Sequence, residues 1–360
     1  MYFSINQNIE DYPHNLQYFF TSENVVESKD LSNFTYLTDR KQYERRFEIP
    51  VALNPFNQTP IMNLYKIPKR YIQPYTPSVC IPKSTFHDGQ LKLLLSTLYF
   101  FKHYVPNGKH IVVYAGAAHG FNIGLNIYPS SKVKKWILVD PSKNWDKRLL
   151  SRGDVEIIRD FFTDDLAKQL KDKYKNENLV FLSDIRINPY EKDIKRDNIN
   201  QLNWVKILKP VAYCLKLRFP YILNEHTGTE GKYLTGDVII QPYAPLASTE
   251  SRLMKQCGKR ITLKKYNFKE HEDRFFTFNR FIRPCDFSDG KIDLRDYGYD
   301  NCFDCTVFYN IVKECFPKEN TIEKMKFIQK NLVPGSLYKV FTDIKEKKRT
   351  RVYKKVFGDE

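Results

Sequence analysis

Residues 110–140 read HIVVYAGAAHGFNIGLNIYPSSKVKKWILVD: an apolar run of strand length, a turn with glycines at 116 and 120, and a second apolar run ending on Asp140. Further apolar runs follow at VEIIRDFF (155–162), LVFLSDI (179–185) and VAYCLKLRF (211–219). Between them lie TDDLAKQLKDKY (163–174) and NINQLNWVKILK (198–209), both with helical character. Parallel strands need a crossover of a dozen or so residues, so strands alternating with helices of this length predict parallel βαβ units. The expected fold is α/β, a Rossmann-like doubly wound sheet, mostly parallel, with helices on both faces.

Working outward, GQLKLLLSTLYFFKHY (89–104) places Leu91, Leu94, Leu95 and Leu98 at helical spacing and predicts an amphipathic helix that opens the domain. On the other side, DVIIQPY (237–243), RITLKKYNF (260–268) and DRFFTFNRFI (273–282) read as three strands that close the sheet with an antiparallel edge hairpin. Residues 302–315 and 321–332 read as helices. The predicted organisation is an irregular N-terminal arm over 1–75, one α/β domain over 76–335 and a basic C-terminal tail over 336–360. The arm is expected to hold little core of its own.

The 58 Lys and Arg residues against 42 Asp and Glu give a formal charge of +16, which implies a polyanionic partner. Lys132, Lys134 and Lys135, then Lys255, Lys259 and Arg260, and the tail over 345–355 are the candidate phosphate contacts; a solvated charged face explains any one cluster equally well. No run nears the roughly 18 consecutive apolar residues of a membrane span, and no basic and apolar leader opens the chain, so no membrane association is expected. Seven scattered cysteines argue against a disulfide framework and for a reducing compartment. Cys302 and Cys305 form a C-x-x-C without a second pair at zinc-finger spacing, so helix cysteines, and no metal, are expected.

Glycines four apart after a buried strand permit a tight turn that brings backbone close to a ligand. The spacing is neither G-x-G-x-x-G nor that of a G-K-[ST] phosphate loop. Asp140, at the tip of the next strand, is able to accept from a ribose diol, and equally to cap the turn that follows. Together they favour an adenosine-containing cofactor, and S-adenosylmethionine fits the missing phosphate signature better than NAD. Lys92, Asp184, Lys216 and Glu250 form a second constellation. Asp184 and Lys216 fall at neighbouring strand ends, where open α/β sheets bind ligands. Two lysines and two carboxylates at one cleft suit proton abstraction from a hydroxyl, because burial and a neighbouring cation make a lysine easier to deprotonate. Singly, each reads more simply as a salt bridge.

GQLKLLL (89–95), SDIR (183–186), VAYCLKLR (211–218) and ASTESRL (247–253) resemble the poxvirus-type cap-specific mRNA 2′-O-methyltransferases, whose members double as the small regulatory subunit of the viral poly(A) polymerase. The similarity runs from about residue 85 to about residue 315. It implies a methyltransferase sheet, S-adenosylmethionine as cofactor, and transfer of a methyl group to the ribose 2′-OH of the first transcribed nucleotide of m7G-capped mRNA. Lys92, Asp184, Lys216 and Glu250 then match the catalytic tetrad, with Lys216 as general base. Gln90, Tyr114, Gly116, Gly120, Asp140, Phe162 and Arg186 match cofactor positions. Tyr221 and Arg218 match cap-binding positions, Glu272 matches one acidic contact to the guanine edge, and either Tyr71 or Tyr75 is the second stacking aromatic. His119, Ser142 and Phe162 depart from the family, which carries proline, arginine and a smaller aliphatic there; Leu223 stands where the other acidic contact belongs, followed by Asn224 and Glu225. The resemblance further implies capped mRNA and a poly(A) polymerase catalytic subunit as partners, and the cytoplasmic factory or virion of a large DNA virus, or a related cytoplasmic element, as the setting. The alternatives are a non-catalytic RNA-binding accessory subunit of such a polymerase and a methyltransferase of uncapped or internal riboses.

Overall fold

The computed structural model describes residues 60, 62–75, 89–186, 188, 190–220, 230–244, 248–258, 260–283, 285–287, 290–299 and 301–333. Its strands are β1 (His110–Ala115), β2 (Val133–Val139), β3 (Val155–Ile158), β4 (Leu179–Ser183), β5 (Ala212–Leu217), β6 (Glu230–Leu234), β7 (Asp237–Ile240), β8 (Ser251–Gln256) and β9 (Leu263–Asn267). Its helices are α1 (Gly89–His103), the short α2 (Phe121–Gly124) and α3 (Lys147–Leu150), α4 (Asp164–Lys173), α5 (Glu191–Leu208), α6 (Phe268–Thr277), α7 (Phe303–Cys315) and α8 (Thr321–Asn331).

Seven strands form one sheet in the order β3-β2-β1-β4-β5-β8-β7. The first five are mutually parallel, and β8 and β7 form the antiparallel edge. Every residue of β1, β4 and β5 is buried, as expected of central strands covered on both faces. Right-handed crossovers place connections that step outward from β1 to β3 on one face, and those that return through β4 to β5 on the other. Accordingly α4 packs with α5, while α1 packs with α2 and α7, and α7 with α8. The direction of winding reverses between β1 and β4, so a crevice opens at the carboxyl ends of those strands.

The far end of the sheet differs from expectation. The expected strand over 273–282 is helix α6 continued by a π-helical turn over Phe278–Ile282. Its aromatic content suggested β structure, but His271, Phe275, Phe278 and Ile282 recur at helical spacing and all are buried. Asn267 caps this helix, its side chain accepting from the Glu270 N–H. The expected strand over 260–268 does form, as β9, yet it pairs with β6 in a separate two-stranded sheet. The place beside β5 belongs to β8, which the sequence reading passed over. The helix expected over 198–209 begins earlier, at Glu191.

Residues 62–72 join the common core: Met62, Leu64 and Ile67 are buried, and the Ile240 N–H donates to the Met62 carbonyl at 2.7 Å, covering the free edge of β7.

Gly116 has φ +74°, and a Cβ there would lie 2.9 Å from the Ile185 nitrogen and 3.0 Å from the Asp184 carbonyl carbon. The glycine turn after β1 thus lets the chain leaving β4 pass close by. Gly116→Ala combines a left-handed backbone with a backbone clash, and an unfolding midpoint in denaturant should show a loss of about 2 kcal/mol or more.

Candidate active site

Four elements bring five charged side chains together at the carboxyl edge of the sheet. The β4–β5 pairing ends at Ser183↔Leu215, so Asp184 and Lys216 are the next residues on adjacent strands. On the other side of β5, Lys216 stands directly opposite Arg252 of β8, and Glu250 lies just before β8 begins. Lys92 enters from the buried face of α1. Lys92 Nζ reaches Glu250 Oε1 at 2.8 Å, and Lys216 Nζ lies 3.0 Å from Asp184 Oδ1 and 3.6 Å from Glu250 Oε2. Arg252 donates to Asp184 Oδ1 at 2.6 Å, to the Ser183 carbonyl at 3.1 Å and to Gln241 Oε1 at 2.7 Å. The Gln241 amide in turn faces Glu250 Oε1 at 3.3 Å.

Burial alone would raise the proton affinity of both carboxylates. At Glu250 the ammonium groups of Lys216 and Lys92 and the Arg252 guanidinium outweigh it, and the carboxyl is held well below its ordinary range. At Asp184, Arg252, Lys216 and Lys92 do the same. Lys92 is shifted downward, chiefly by burial and further by Lys216, although Glu250 opposes both. The site therefore presents two ionised carboxylates shared among three basic groups, each basic side chain no more than 10% exposed. Lys92, Asp184, Lys216 and Glu250, singled out in the sequence, are in mutual contact. Arg252 and Gln241 were not singled out. Arg252 is on the same strand face as Glu250 by period-2 alternation, a signal that becomes readable only once β8 is known to be a strand.

On the cofactor side, Tyr114 is buried at the end of β1, next to a small cavity that Ser183, Cys214 and Arg252 also line. Burial, reinforced by Asp184, pushes its phenol well above the usual range. Gly120, at φ +74°, starts α2. Asp140 accepts from the Ser142 N–H at 2.9 Å and from the Ala118 N–H at 3.4 Å, so its carboxylate ties the strand tip to the glycine turn. The capping alternative for Asp140 is therefore realised. Phe162 packs edge-on against Trp204 at 4.7 Å and is 8% exposed. Arg186 pairs with buried Asp197 at 3.2 Å. Gln90 is half-buried in the first turn of α1.

Tyr221 lies outside the described residues, as do Leu223, Asn224, Glu225, Lys259 and the tail over 345–355. Arg218 is ion-paired to Glu191, and Glu272 is half-buried on α6, where burial raises its carboxyl above the usual range. Tyr75 reaches this helix: its N–H donates to Asp273 at 2.7 Å and its ring meets Phe276 edge-on at 5.6 Å. Tyr71 instead lies under the Arg70 guanidinium, 4.8 Å from the ring centre. Four of the candidate phosphate contacts have other partners. Lys132 donates to the Phe101 and Val105 carbonyls at the end of α1, Lys134 pairs with Glu177, and Lys135 with Glu156. Lys255 donates to the hydroxyls of Thr235 and Thr262. Cys302 stands at the residue before α7, and Cys305 is buried in it, accepting from the Tyr243 hydroxyl at 3.6 Å. Among the described residues no group of three or more His, Cys, Asp or Glu is placed to hold a metal ion, and no helix is long and apolar enough to cross a membrane.

Fold and site define an α/β protein with a buried charged cluster where β4, β5 and β8 meet at one edge of a doubly wound sheet. The chain belongs to the poly(A) polymerase regulatory subunit family, whose model matches residues 57–335. It is 32% identical over 260 residues to the cap-specific mRNA (nucleoside-2′-O-)-methyltransferase of fowlpox virus (strain NVSL), covering 67% of this chain and 82% of that protein. The protein of the same name from myxoma virus (strain Lausanne) is 31% identical over 219 residues, covering 56% of this chain and 63% of its own length. A solved structure of bluetongue virus VP4, described as a multifunctional RNA-capping production line, aligns with 61% of this chain and 35% of its own, at 14% identity and a TM-score of 0.40.

Because the folded carboxyls of Asp184 and Glu250 sit below their ordinary values, their contribution to stability is fully present above the unfolded carboxyl range near ~4 and is lost as pH falls through the folded values. Asp184→Asn strips Arg252 and Lys216 of an ionised partner and should destabilise by about 3 kcal/mol at neutral pH. That difference from wild type should shrink below about pH 4, measured by urea midpoints across pH 3–7.

Proposed function

We propose that this chain transfers a methyl group from S-adenosylmethionine to the ribose 2′-OH of the first transcribed nucleotide of m7G-capped mRNA, with Lys216 as general base. The observation that carries this reading is the Lys216 ammonium held between Asp184 and Glu250 at the carboxyl edge of the sheet, with Lys92 on the far side of Glu250. The names of the fowlpox and myxoma relatives support it.

The residues fit such a cofactor. Gly116 and Gly120 keep the turn after β1 free of side chains, and Asp140, which accepts two backbone N–H groups, retains lone pairs for a ribose diol. When bound, S-adenosylmethionine supplies an electrophilic methyl on a sulfonium centre. Lys216 Nζ in its neutral form would take the proton from the 2′-OH as the oxygen bonds to the methyl carbon and the methyl–sulfur bond breaks, its electron pair staying on the departing thioether, and Asp184 and Glu250 aim the amine at that hydroxyl. Arg252 anchors Asp184, and Lys92 anchors Glu250, so neither carboxylate is free to swing away. Gln90, Tyr114, Phe162 and Arg186 complete the proposed cofactor contacts. For the cap we propose Tyr221 as one stacking aromatic, with Arg218 beside it. Tyr75 is favoured over Tyr71 as the other, because its backbone is tied to α6 next to Glu272. Delocalised cationic bases stack well between aromatic faces with an acidic group on the edge. We further take 76–335 as the methyltransferase unit, flanked by an arm and a basic tail, working in the cytoplasm of infected cells.

A second reading, a poly(A) polymerase accessory subunit, is favoured by the description of the matching family. It is compatible with the first and predicts that the protein lengthens the tails made by a polymerase catalytic subunit.

The deciding assay is labelled methyl transfer to capped and uncapped transcripts, with nuclease mapping of the modified nucleotide. Transfer should require the cap, map to the first nucleotide and be inhibited by cap dinucleotide; equal transfer to uncapped RNA would point to internal riboses instead. Lys216→Met should lose on the order of 10²–10⁴-fold in kcat, the usual range for a positioned acid–base group. A folded Lys216→Met at wild-type rate would sink the assignment of the base.

A further inference from the structure

Helix α5 packs an unusual face against the strand that carries Lys216. A helix covering a sheet is ordinarily apolar on its inner side, but α5 buries Asp193, Asp197, Asn198 and Gln201 along with Ile194, Trp204 and Val205. Two of these polar groups meet the backbone of β5 and of the residue just after it. Gln201 Nε2 donates to the Lys216 carbonyl at 2.9 Å, with both groups buried, and Asn198 Nδ2 donates to the Arg218 carbonyl at 2.8 Å.

The location of these bonds explains them. Pairing between β4 and β5 stops at Ser183↔Leu215, where the chain turns aside to present Asp184. The next residues of β5 lose their β4 neighbour at the point where the site needs an opening between the strands. A buried carbonyl without a partner is costly, so a side chain must replace the missing strand. Gln201 and Asn198 lie three apart on one face of α5, and the carbonyls of residues 216 and 218, two apart, are directed to the same side of β5. The bonds are made at some cost: Gln201 Oε1 and Asn198 Oδ1 are buried without hydrogen-bond partners among the described residues. Packing alone would be served better by an apolar residue.

We propose that Gln201, seconded by Asn198, is a positioning residue for Lys216, fixing the β5 backbone where sheet pairing has ended and so setting the reach of Nζ toward Asp184 and Glu250. The proposal rests on the reading of Lys216 as general base. Gln201 is buried against the back of β5, so its effect is on kcat and not on ligand affinity.

Gln201→Met keeps the length and removes the donor. For the full chain acting on capped RNA, the expected result is a kcat lowered on the order of ten- to a hundredfold, with KM for S-adenosylmethionine unchanged, a displaced pH–kcat profile, and a thermal midpoint equal to or above wild type. Asn198→Leu should move kcat the same way by a smaller factor, and serves as the test if Gln201→Met does not fold. A folded Gln201→Met with wild-type kcat and pH profile overturns the proposal, as does a loss of activity that only tracks the loss of folded protein. Lys216→Met, run in parallel, separates the two ideas: if it too keeps full rate, the general-base reading has failed and this proposal falls with it; if it is inactive while Gln201→Met is not, only the positioning role has failed.

Discussion

Lys216 and Arg252 stand opposite one another on neighbouring antiparallel strands, an arrangement of like charges that is unfavourable in the open and more so when buried. It is tolerable because Asp184 and Glu250 are delivered to the same point from two further directions. Asp184 accepts from both cations through one carboxylate oxygen, and Glu250 joins Lys216 to Lys92. The cluster sets three basic side chains against two carboxylates. Its members depend on each other: the burial that would neutralise either carboxylate alone is outweighed only while the cations are present.

Much of the surrounding fold serves to close this arrangement. The glycine turn after β1 leaves room for the chain that carries Asp184 to pass close by, since a side chain at 116 would collide with the backbone at 184 and 185. The early end of the β4–β5 pairing leaves the carbonyls of Lys216 and Arg218 without a strand neighbour on that side, and amides from α5 take them. The insertion of β8 between β5 and β7 supplies Arg252 and sets Glu250 at its entrance. Residues 62–72 then cover the outer edge at β7, which would otherwise expose unpaired backbone groups.

The basic surplus divides along the same lines. Some of it is internal to the architecture. Lys132 holds carbonyls at the end of α1, Lys134 and Lys135 are matched by glutamates, and Lys92 and Lys216 belong to the cleft. A net charge counted from sequence treats all of these as equivalent, yet a lysine already engaged by carbonyls or a carboxylate contributes less to gripping a polyanion than a solvated one.

What the sequence determined by itself was the part governed by local pattern. The mainly apolar runs of β1, β4 and β5, the glycine turn, the acidic strand end and the helical spacing of α1, α4, α7 and α8 were all readable, because burial on both faces and helical periodicity leave their mark in consecutive residues. The four charged residues at 92, 184, 216 and 250 were legible as a set through their resemblance to a family. The far end of the sheet was not. Residues 273–282 are aromatic-rich and read as a strand, but become a helix because their apolar positions match the helical face that the core offers. Strand β8 carries polar and charged residues that local propensity does not assign to a sheet, and it is held there by pairing with β5 on one side and β7 on the other. Arg252, Gln241, Gln201 and Asn198 acquire their roles only through that pairing and the packing of α5. Their partners lie on other elements, and hydrogen bonds between residues distant in sequence leave no periodic signal in the chain that makes them.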